Sequence, residues 1–535
     1  MSYASLRDFI EKLEELGELR RVTQEVDYKY EIGAWTYHAC NLDPPGPALL
    51  FENVRGYDKS YRVLTNVHGT YRRLAIALGL DPDASKVTLI NTFRERLKGQ
   101  VKPYIVETGP VKENIHIGNN VNLLEFPTPW WHPRDGGRYI GTWHGVVSKD
   151  PESSRINMGT YRVQIQDKDK CTIGFLPGQH IGFHFSKRQS AGDTLEVAVV
   201  IGADETVPII ACTGIPFGVC EYDVIGSMRQ EPLPLVRCNT VDLEVPANAE
   251  IVIEGRLHTS VEQRLPEGPF SEYLGYHGGS IRMRPILEVT CIMHRNDPIL
   301  RGSLSGKPKR EGAIVNSIQG AAEGLAMFDE QGPAGVKLIN NLPEAGGQIV
   351  TIIQIKPYYI GHSWQVARTW LSHQIGQHSK LVIIVDDDID PFNLGEVFWA
   401  LGSRTQGGRD TEVWKFCKTS RSDPSVPRDR GEYTDRLIID ATKKLDYAYE
   451  PLYGGHWAPV AVPPREMLKV VGLKWKKEVN EEISQMEIDK AVRELRDVHY
   501  KRWEEFRDKH YALTPEMRER ELALSYPRLT KDPFE

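Results

Sequence analysis

The sequence has no CxxC pair. Its seven cysteines (40, 171, 212, 220, 238, 291 and 417) are scattered through 535 residues, and their number is odd. That pattern argues against a disulfide framework and against structural thiolate zinc, and it fits reduced thiols in a cytoplasmic protein. Long apolar runs are also missing. The longest aliphatic stretch, LVIIV at 381–385, is far short of the roughly 20 residues that span a bilayer. The N-terminus, MSYASLRDFIEKLEELGEL, has no apolar h-region, so the reading is no signal peptide. There is no basic excess: the net charge is −7, which gives no global field to attract nucleic acid. Internal repeats and low-complexity segments are absent.

What is present is enough chain for two to four domains. Apolar spacing at Leu6, Phe9, Ile10, Leu13 and Leu16 predicts a helix over 3–16, stopped by Gly17. PALLFENV (47–54) reads as a strand, and a boundary falls near 118. From 140 to 300, YRVQIQ, TLEVAVVIG, VPIIAC, TVDLEV and AEIVIEG read as strands with little helix between them, implying a barrel or sandwich-like β domain. After 310, helical and strand patterns alternate, as in a three-layer α/β domain. The expected division is 1–117, 118–310, 311–474 and a charged helical tail, 475–535. In that tail Ile488, Val492, Leu495 and Phe506 share a stripe.

Three stretches carry candidate chemistry. RLPEGPFSEYLGYHGG (264–279) holds Glu267 and Glu272 across a Gly-Pro turn, followed by glycines at 275, 278 and 279. On an unbroken strand an odd spacing sends two side chains to opposite faces, but the Gly-Pro pair lets both aim into one pocket. Two carboxylates so placed divide the work: one orients a cation and the other moves a proton. SRINMGTYRVQIQ (154–166) holds Arg162. Facing inward, it needs an acid partner, and its guanidinium is a bidentate clamp for a carboxylate. GFLPGQH (174–180) and GIPFGVCEYD (214–223) add His180 and Glu221 to Asn157. One amide, one imidazole and one carboxylate suit a hard divalent ion such as Mn²⁺ or Mg²⁺. From residues alone, two surface acids, an edge arginine and a structural histidine remain the plain alternatives.

NMGTYRVQ, PGQH, GIPFGVCEYD, EVPANAEIVIEG, EGPFSEYLGY and LVIIVDDDIDPFNLGEVFWAL occur in this order. Together they resemble the UbiD family of decarboxylases, over about residues 5–470. The resemblance implies an α/β (mixed α+β) fold, with a small N-terminal α/β domain, a central β-rich, split-barrel-like cofactor domain and a C-terminal three-layer α/β domain. It implies prenylated FMN, a divalent metal (Mn²⁺, or Mg²⁺ or Fe²⁺) on Asn157, His180 and Glu221, and K⁺ beside it. Met158, Gly159, Thr160, Tyr161, Arg162, Gln179, Cys212, Thr213, Gly214, Ile215 and Pro216 would line the cofactor. Arg162, Glu267 and Glu272 become the catalytic network, with Glu272 as proton donor to a substrate held in a covalent cofactor adduct.

The implied activity is reversible, non-oxidative decarboxylation of an aromatic or α,β-unsaturated acid, or of an aryl-CoA thioester of the phthaloyl-CoA type. A flavin prenyltransferase would supply the cofactor, and the chain would form homodimers or homohexamers through its C-terminal region. One departure stands out: GHSWQVAR puts Trp364 where the family often carries a phosphate-binding lysine, with Lys356 or Arg368 as substitutes. KPKR (307–310) would meet the phosphates of a CoA or stay a solvated loop. DDDID (386–390) reads as a capped loop rather than a metal centre, and WWHPRDGGRY (130–139) as pocket lining or interdomain packing. A metal-dependent hydrolase and a non-catalytic flavin-binding protein are the competing functions.

Overall fold

The computed structural model describes residues 3–278, 281–418, 422–426, 433–450, 455–479, 484–503 and 505. The chain divides into two compact units, Met1–Thr442 and Lys443–Glu535.

The first unit opens with the helix Leu6–Glu15. The Ser5 side chain caps it by accepting from Asp8 N, and Gly17 follows its end with φ +70°. Leu6, Phe9, Ile10 and Leu13 bury its inner stripe against Ala48, Leu50, Leu64 and Ile299. Those partners belong to a four-stranded sheet of Leu19–Val22, Ala48–Phe51, Arg62–Thr65 and Ile299–Arg301. The last of these strands is supplied from almost 240 positions downstream of its neighbour, so this small sheet closes only when the far end of the central region arrives.

The central sheet runs in the order Tyr139–Gly141, Val163–Asp167, Lys170–Ile173, Arg282–His294, Ile251–Leu257, Leu195–Ile201, His144–Lys149, Ile156–Gly159. Arg264–Glu267 and Asn114–Ile117 also pair with the long strand Arg282–His294. Chain geometry forces this sheet to curl. Tyr139–Gly141 and His144–Lys149 stand near opposite ends of the order, yet only residues 142 and 143 join them, a reach of roughly 10 Å. Ile156–Gly159 and Val163–Asp167 are likewise joined by 160–162 alone. The sheet is therefore a half-barrel whose ends meet, and Arg162 lies in the joining segment. Both faces are covered: Val197, Val199 and Ile201 enter one core, Ala198 and Val200 another.

The expected strand VPIIAC is a helix, Thr206–Ala211. The Asp204 carboxylate caps it, accepting from Thr206 N at 2.8 Å, and Pro208 sits in its first turn, where no amide hydrogen is missed. All six of its residues are buried, so no polar face marks a helical period. Helices His180–Ser190 and Glu221–Arg229 also lie in this region, which holds more helix than its sequence pattern implies. TVDLEV is extended only at its end, in Glu244–Pro246.

The C-terminal sheet has the order Val336–Asn341, Val350–Ile355, Leu381–Asp386, Tyr433–Ala441, Thr411–Lys418, with three central parallel strands and antiparallel edges. Ile353, Val382 and Ile384 pack with Phe328 of the helix Glu311–Gln331 and Trp370 of the helix His362–Ser372. Ile352, Ile383 and Val385 face Val397 and Ala400 of the helix Leu394–Arg404. These are the three layers expected.

A buried ionic knot joins the parts of this unit. Arg301 donates to Glu205 (3.0 Å) and Glu311 (2.6 Å), His68 Nε2 meets Glu205 at 2.6 Å, and Glu311 accepts from the backbone of Asn66 and His68. Burial would push the Glu205 carboxyl up, but Arg301 and His68 hold it down at about 2. In the second unit, a Ser484–Glu487 capping box starts the helix Gln485–Glu494. Ile488 and Leu495 are buried and Val492 half-buried, along the expected stripe, while Phe506 and most of the charged tail lie outside the described residues.

Candidate active site

Arg162 precedes the strand Val163–Asp167 and is gripped from two sides. Its Nε and Nη2 donate to the two oxygens of Glu267 at 2.7 and 3.0 Å, and its Nη1 donates to Glu272 Oε1 at 2.7 Å. The Gly-Pro turn does what its sequence implies. Gly268 has φ +92°, a region that favours glycine, and Glu267 and Glu272 converge on one guanidinium despite their odd spacing. The acids differ in access: the Glu267 side chain is fully buried, whereas Glu272 keeps 21% of its side-chain surface.

Neighbouring residues fix this arrangement. Tyr139 donates to Glu267 Oε1 at 3.0 Å, Arg284 Nε stands 3.7 Å from the other oxygen, and Gln164 accepts from Gly268 N. Phe270 lies under the guanidinium, 5.2 Å from ring centre to Cζ. A Cβ on Gly278 would fall 2.2 Å from Glu272 Cγ, so that glycine makes room for the second acid; Gly279 lies outside the described residues. Burial would lower the Arg162 pKa, but Glu267, with Glu272 and Tyr139, more than offsets it and holds the guanidinium above its ordinary value. Tyr139 is pushed up by burial and by the adjacent Glu267, which keeps it a hydroxyl donor.

Asn157, His180 and Glu221 also come together. They sit on the edge strand Ile156–Gly159 and at the first residues of two helices, and His180 Nδ1 is 3.7 Å from Glu221 Oε1. Asn157 and His180 line a cleft of about 70 Å³ with Arg155, His184 and Phe217. Glu221 Oε2 accepts from Met158 N at 3.1 Å, and Asn157 Nδ2 is buried without a hydrogen-bond partner among the described residues. What fits a hard cation is the donor set itself: the Asn157 amide oxygen, the His180 imidazole and the Glu221 carboxylate, brought to one place.

The two expected lining segments touch. Thr160 N donates to Ala211 O at 2.9 Å, and Cys212 Sγ lies 3.2 Å from Thr160 Oγ1. Gly159 lets Tyr161 fold back: a Cβ there would meet its hydroxyl at 2.5 Å. Gln179 precedes the His180 helix and accepts from Leu176 N. Thr213, Gly214, Ile215 and Pro216 follow in the loop after the Thr206–Ala211 helix.

Other sequence candidates separate from this site. Asp386 and Asp388 both pair with Arg404, at 2.6 and 2.8 Å, so they form a structural ion cluster. Within KPKR, Lys307 and Lys309 are exposed and Lys309 pairs with Glu344, but Arg310 is buried against the Tyr37 ring, contrary to a solvated loop. Arg368 pairs with Glu412 at 2.6 Å and Lys356 is exposed; neither lines the small cleft. WWHPRDGGRY buttresses the acid turn: Asp135 accepts from Ser271 N, and Gly136 N donates to Pro269 O.

Sequence reasoning quoted the stretches that hold Tyr139 and Arg155 without singling out either residue, and it missed Glu323. Glu323, on the helix Glu311–Gln331, accepts from Gln319 at 3.1 Å and from the Gly214 backbone, and burial raises its pKa to about 7. Its only sequence mark is a single acid inside the apolar run GAAEGLAMF.

Comparison with known proteins decides the family. Profiles described as the N-terminal, Rift-related and C-terminal domains of 3-octaprenyl-4-hydroxybenzoate carboxy-lyase match residues 10–91, 104–308 and 314–441. The chain is 35% identical over 451 residues to the phenolic acid decarboxylase of Sedimentibacter hydroxybenzoicus, covering 82% of this chain and 92% of that protein. This chain belongs to the UbiD family. It is a carboxy-lyase. The phenolic acid decarboxylase of Bacillus subtilis is 31% identical, with 86% and 95% covered. Among solved structures, the vanillic acid decarboxylase of S. hydroxybenzoicus in its open form superimposes with a TM-score of 0.80 at 32% identity, covering 90% of this UbiD chain and 100% of that one. The UbiD-class enzyme HmfF of Pelotomaculum thermopropionicum, in complex with FMN, gives 0.77 at 31% identity, covering 88% and 99%.

Proposed function

We propose that this enzyme removes CO₂, reversibly and without net oxidation, from an aromatic or α,β-unsaturated carboxylic acid with prenylated FMN as cofactor. The observation that carries the proposal is one guanidinium shared by two carboxylates of unequal exposure, at the closure of the half-barrel. Solved relatives holding FMN and prenylated FMN support the cofactor. Asn157, His180 and Glu221 would hold its phosphate through a divalent ion, Mn²⁺ by preference, with K⁺ alongside. Arg155 supplies a cation on the same cleft in place of the family's lysine. The backbone of Met158–Tyr161 and Cys212–Pro216 would line the ring system. Once bound, the cofactor supplies the electron sink for CO₂ loss.

This chain's side chains supply orientation and protons. Glu267, buried and held by Tyr139, locks the Arg162 fork, which then presents a fixed cation to the substrate carboxylate. Glu272 keeps access to solvent and delivers the proton that replaces the departing carboxyl group. In the carboxylating direction the same oxygen takes that proton back. Turnover in D₂O should place one deuterium at the decarboxylated carbon. Glu272→Gln should retain cofactor and lose about 10²–10⁴ in turnover; undiminished turnover would contradict the assignment.

Lys307 favours a second substrate reading. It is exposed and packs on Gly275, in the turn that carries Glu272, so an aryl-CoA thioester of the phthaloyl-CoA type would find a cation there. Lys307→Ala would then raise KM for the CoA substrate alone. An unchanged KM returns the assignment to free acids.

A further inference from the structure

We propose that His116, Glu125 and His294 form a divalent-metal site of the zinc type, separate from the Asn157–His180–Glu221 cleft. The three residues each offer a ligand atom within 4.8 Å of the others. Strand pairing places the histidines. Asn114–Ile117 runs antiparallel to the end of Arg282–His294, with His116 opposite Ile292 and Asn114 opposite His294. A residue shares a face with its opposite number and with that residue's second neighbour along the strand, so His116 and His294 form a diagonal pair on one face. Their rings stand 5.2 Å apart at 85°. Glu125 enters from the turn Leu123–Glu125, which Asn122 caps by accepting from Leu124 N.

The hydrogen-bond pattern is what singles this cluster out. His116 Nδ1, Glu125 Oε1 and His294 Nε2 are all buried without a hydrogen-bond partner among the described residues. His116 Nδ1 and Glu125 Oε1 lie 3.4 Å apart, an ion-pair contact that falls short of good hydrogen-bond geometry. Three buried polar atoms in one cluster, none with a well-formed hydrogen bond, are costly unless something satisfies them together. His294 is also set in the form a metal requires: its Nδ1 donates to Arg295 O at 2.8 Å, which fixes the tautomer and leaves the Nε2 lone pair free. Phe126 and Tyr61 rings lie 5.6 and 6.1 Å from the His294 ring and give it an apolar wall.

The contrast with His132, Asp135 and His277 sharpens the assignment. There both Asp135 oxygens are engaged: Oδ1 accepts from Ser271 N, and Oδ2 from His132 N and the His132 ring. That cluster largely satisfies itself; the His116 cluster does not. Two imidazoles and one carboxylate are a borderline donor set that suits Zn²⁺ with a water in the fourth position. Asn114 Nδ2 also bonds His294 O at 3.2 Å, so an ion here would clasp the turn and both strands where residues 114–125 enter the half-barrel.

The test uses the full chain, stripped of metal and then given Zn²⁺. Glu221→Gln removes a ligand of the other site, so zinc retained by that variant reports on this one. Glu221→Gln should hold one zinc per chain by mass spectrometry, and Glu221→Gln with Glu125→Gln should hold none. Cobalt in place of zinc should give a visible ligand-field band in the first protein and not in the second. His116→Asn in the otherwise unaltered chain, at a one-third exposed side chain that leaves the fold intact by circular dichroism, should lower bound zinc by one equivalent. Equal zinc in Glu221→Gln with and without Glu125→Gln would overturn the proposal, as would no zinc in Glu221→Gln.

Discussion

Arg162 and Arg301 are the same device put to different ends. Each is a guanidinium between two glutamates, with contacts of 2.6–3.0 Å. Around Arg301 the acids are closed to solvent: its side chain is 0% exposed, Glu205 and Glu311 are 2% and 1% exposed, and His68, Trp143 and backbone groups take up further valences. Around Arg162 one side is closed by Glu267, Tyr139 and Arg284, while Arg162 and Glu272 keep 23% and 21% of their side-chain surface. Composition does not separate a structural knot from one proposed to be reactive. Access to one carboxylate does.

The comparison breaks most sharply at Glu272. Glu272→Gln should cost about 10²–10⁴ in turnover and leave the melting temperature almost unchanged, read by steady-state kinetics beside calorimetry. Arg301→Met should do the reverse. It strands two buried carboxylates and should remove about 3–5 kcal/mol of stability, measured by denaturant unfolding, while the folded fraction still turns over.

Glu323 sharpens the comparison through pH. Its folded pKa of about 7 lies above its ordinary 4.5 because of burial. The protonated form is thus favoured in the folded state, so its stabilising contribution is present below 4.5 and lost as pH rises through about 7. Glu323→Gln should therefore gain roughly 2–3 kcal/mol over the parent between about pH 5 and about pH 8, checked by unfolding at both values. A smaller effect belongs to Tyr139→Phe. Losing one hydrogen bond to Glu267 should cost about 1 kcal/mol, roughly five-fold in kcat/KM.

Much of this was legible in the sequence where a pattern had to repeat. The run TLEVAVVIG read as a strand and is one over Leu195–Ile201, and the spacing of Leu6, Phe9, Ile10 and Leu13 assigned a helix. VPIIAC failed because a wholly buried six-residue helix shows no polar side from which to read a period. Arg162, Glu267 and Glu272 were legible through ordered family blocks, not from spacing, which alone favoured surface acids. The Arg301 knot left no local trace, since positions 68, 205, 301 and 311 meet only after three segments fold together. Tyr139 and Glu323 were hidden in the same way: each acts on a loop more than a hundred residues away.

The most direct test of the central claim is native mass spectrometry with a UV–visible spectrum, on protein co-produced with a flavin prenyltransferase. The account predicts a bound mass matching prenylated FMN together with one divalent ion at the active-site cleft, both lost in Glu221→Gln. A colourless, flavin-free protein in the presence of active prenyltransferase would contradict it.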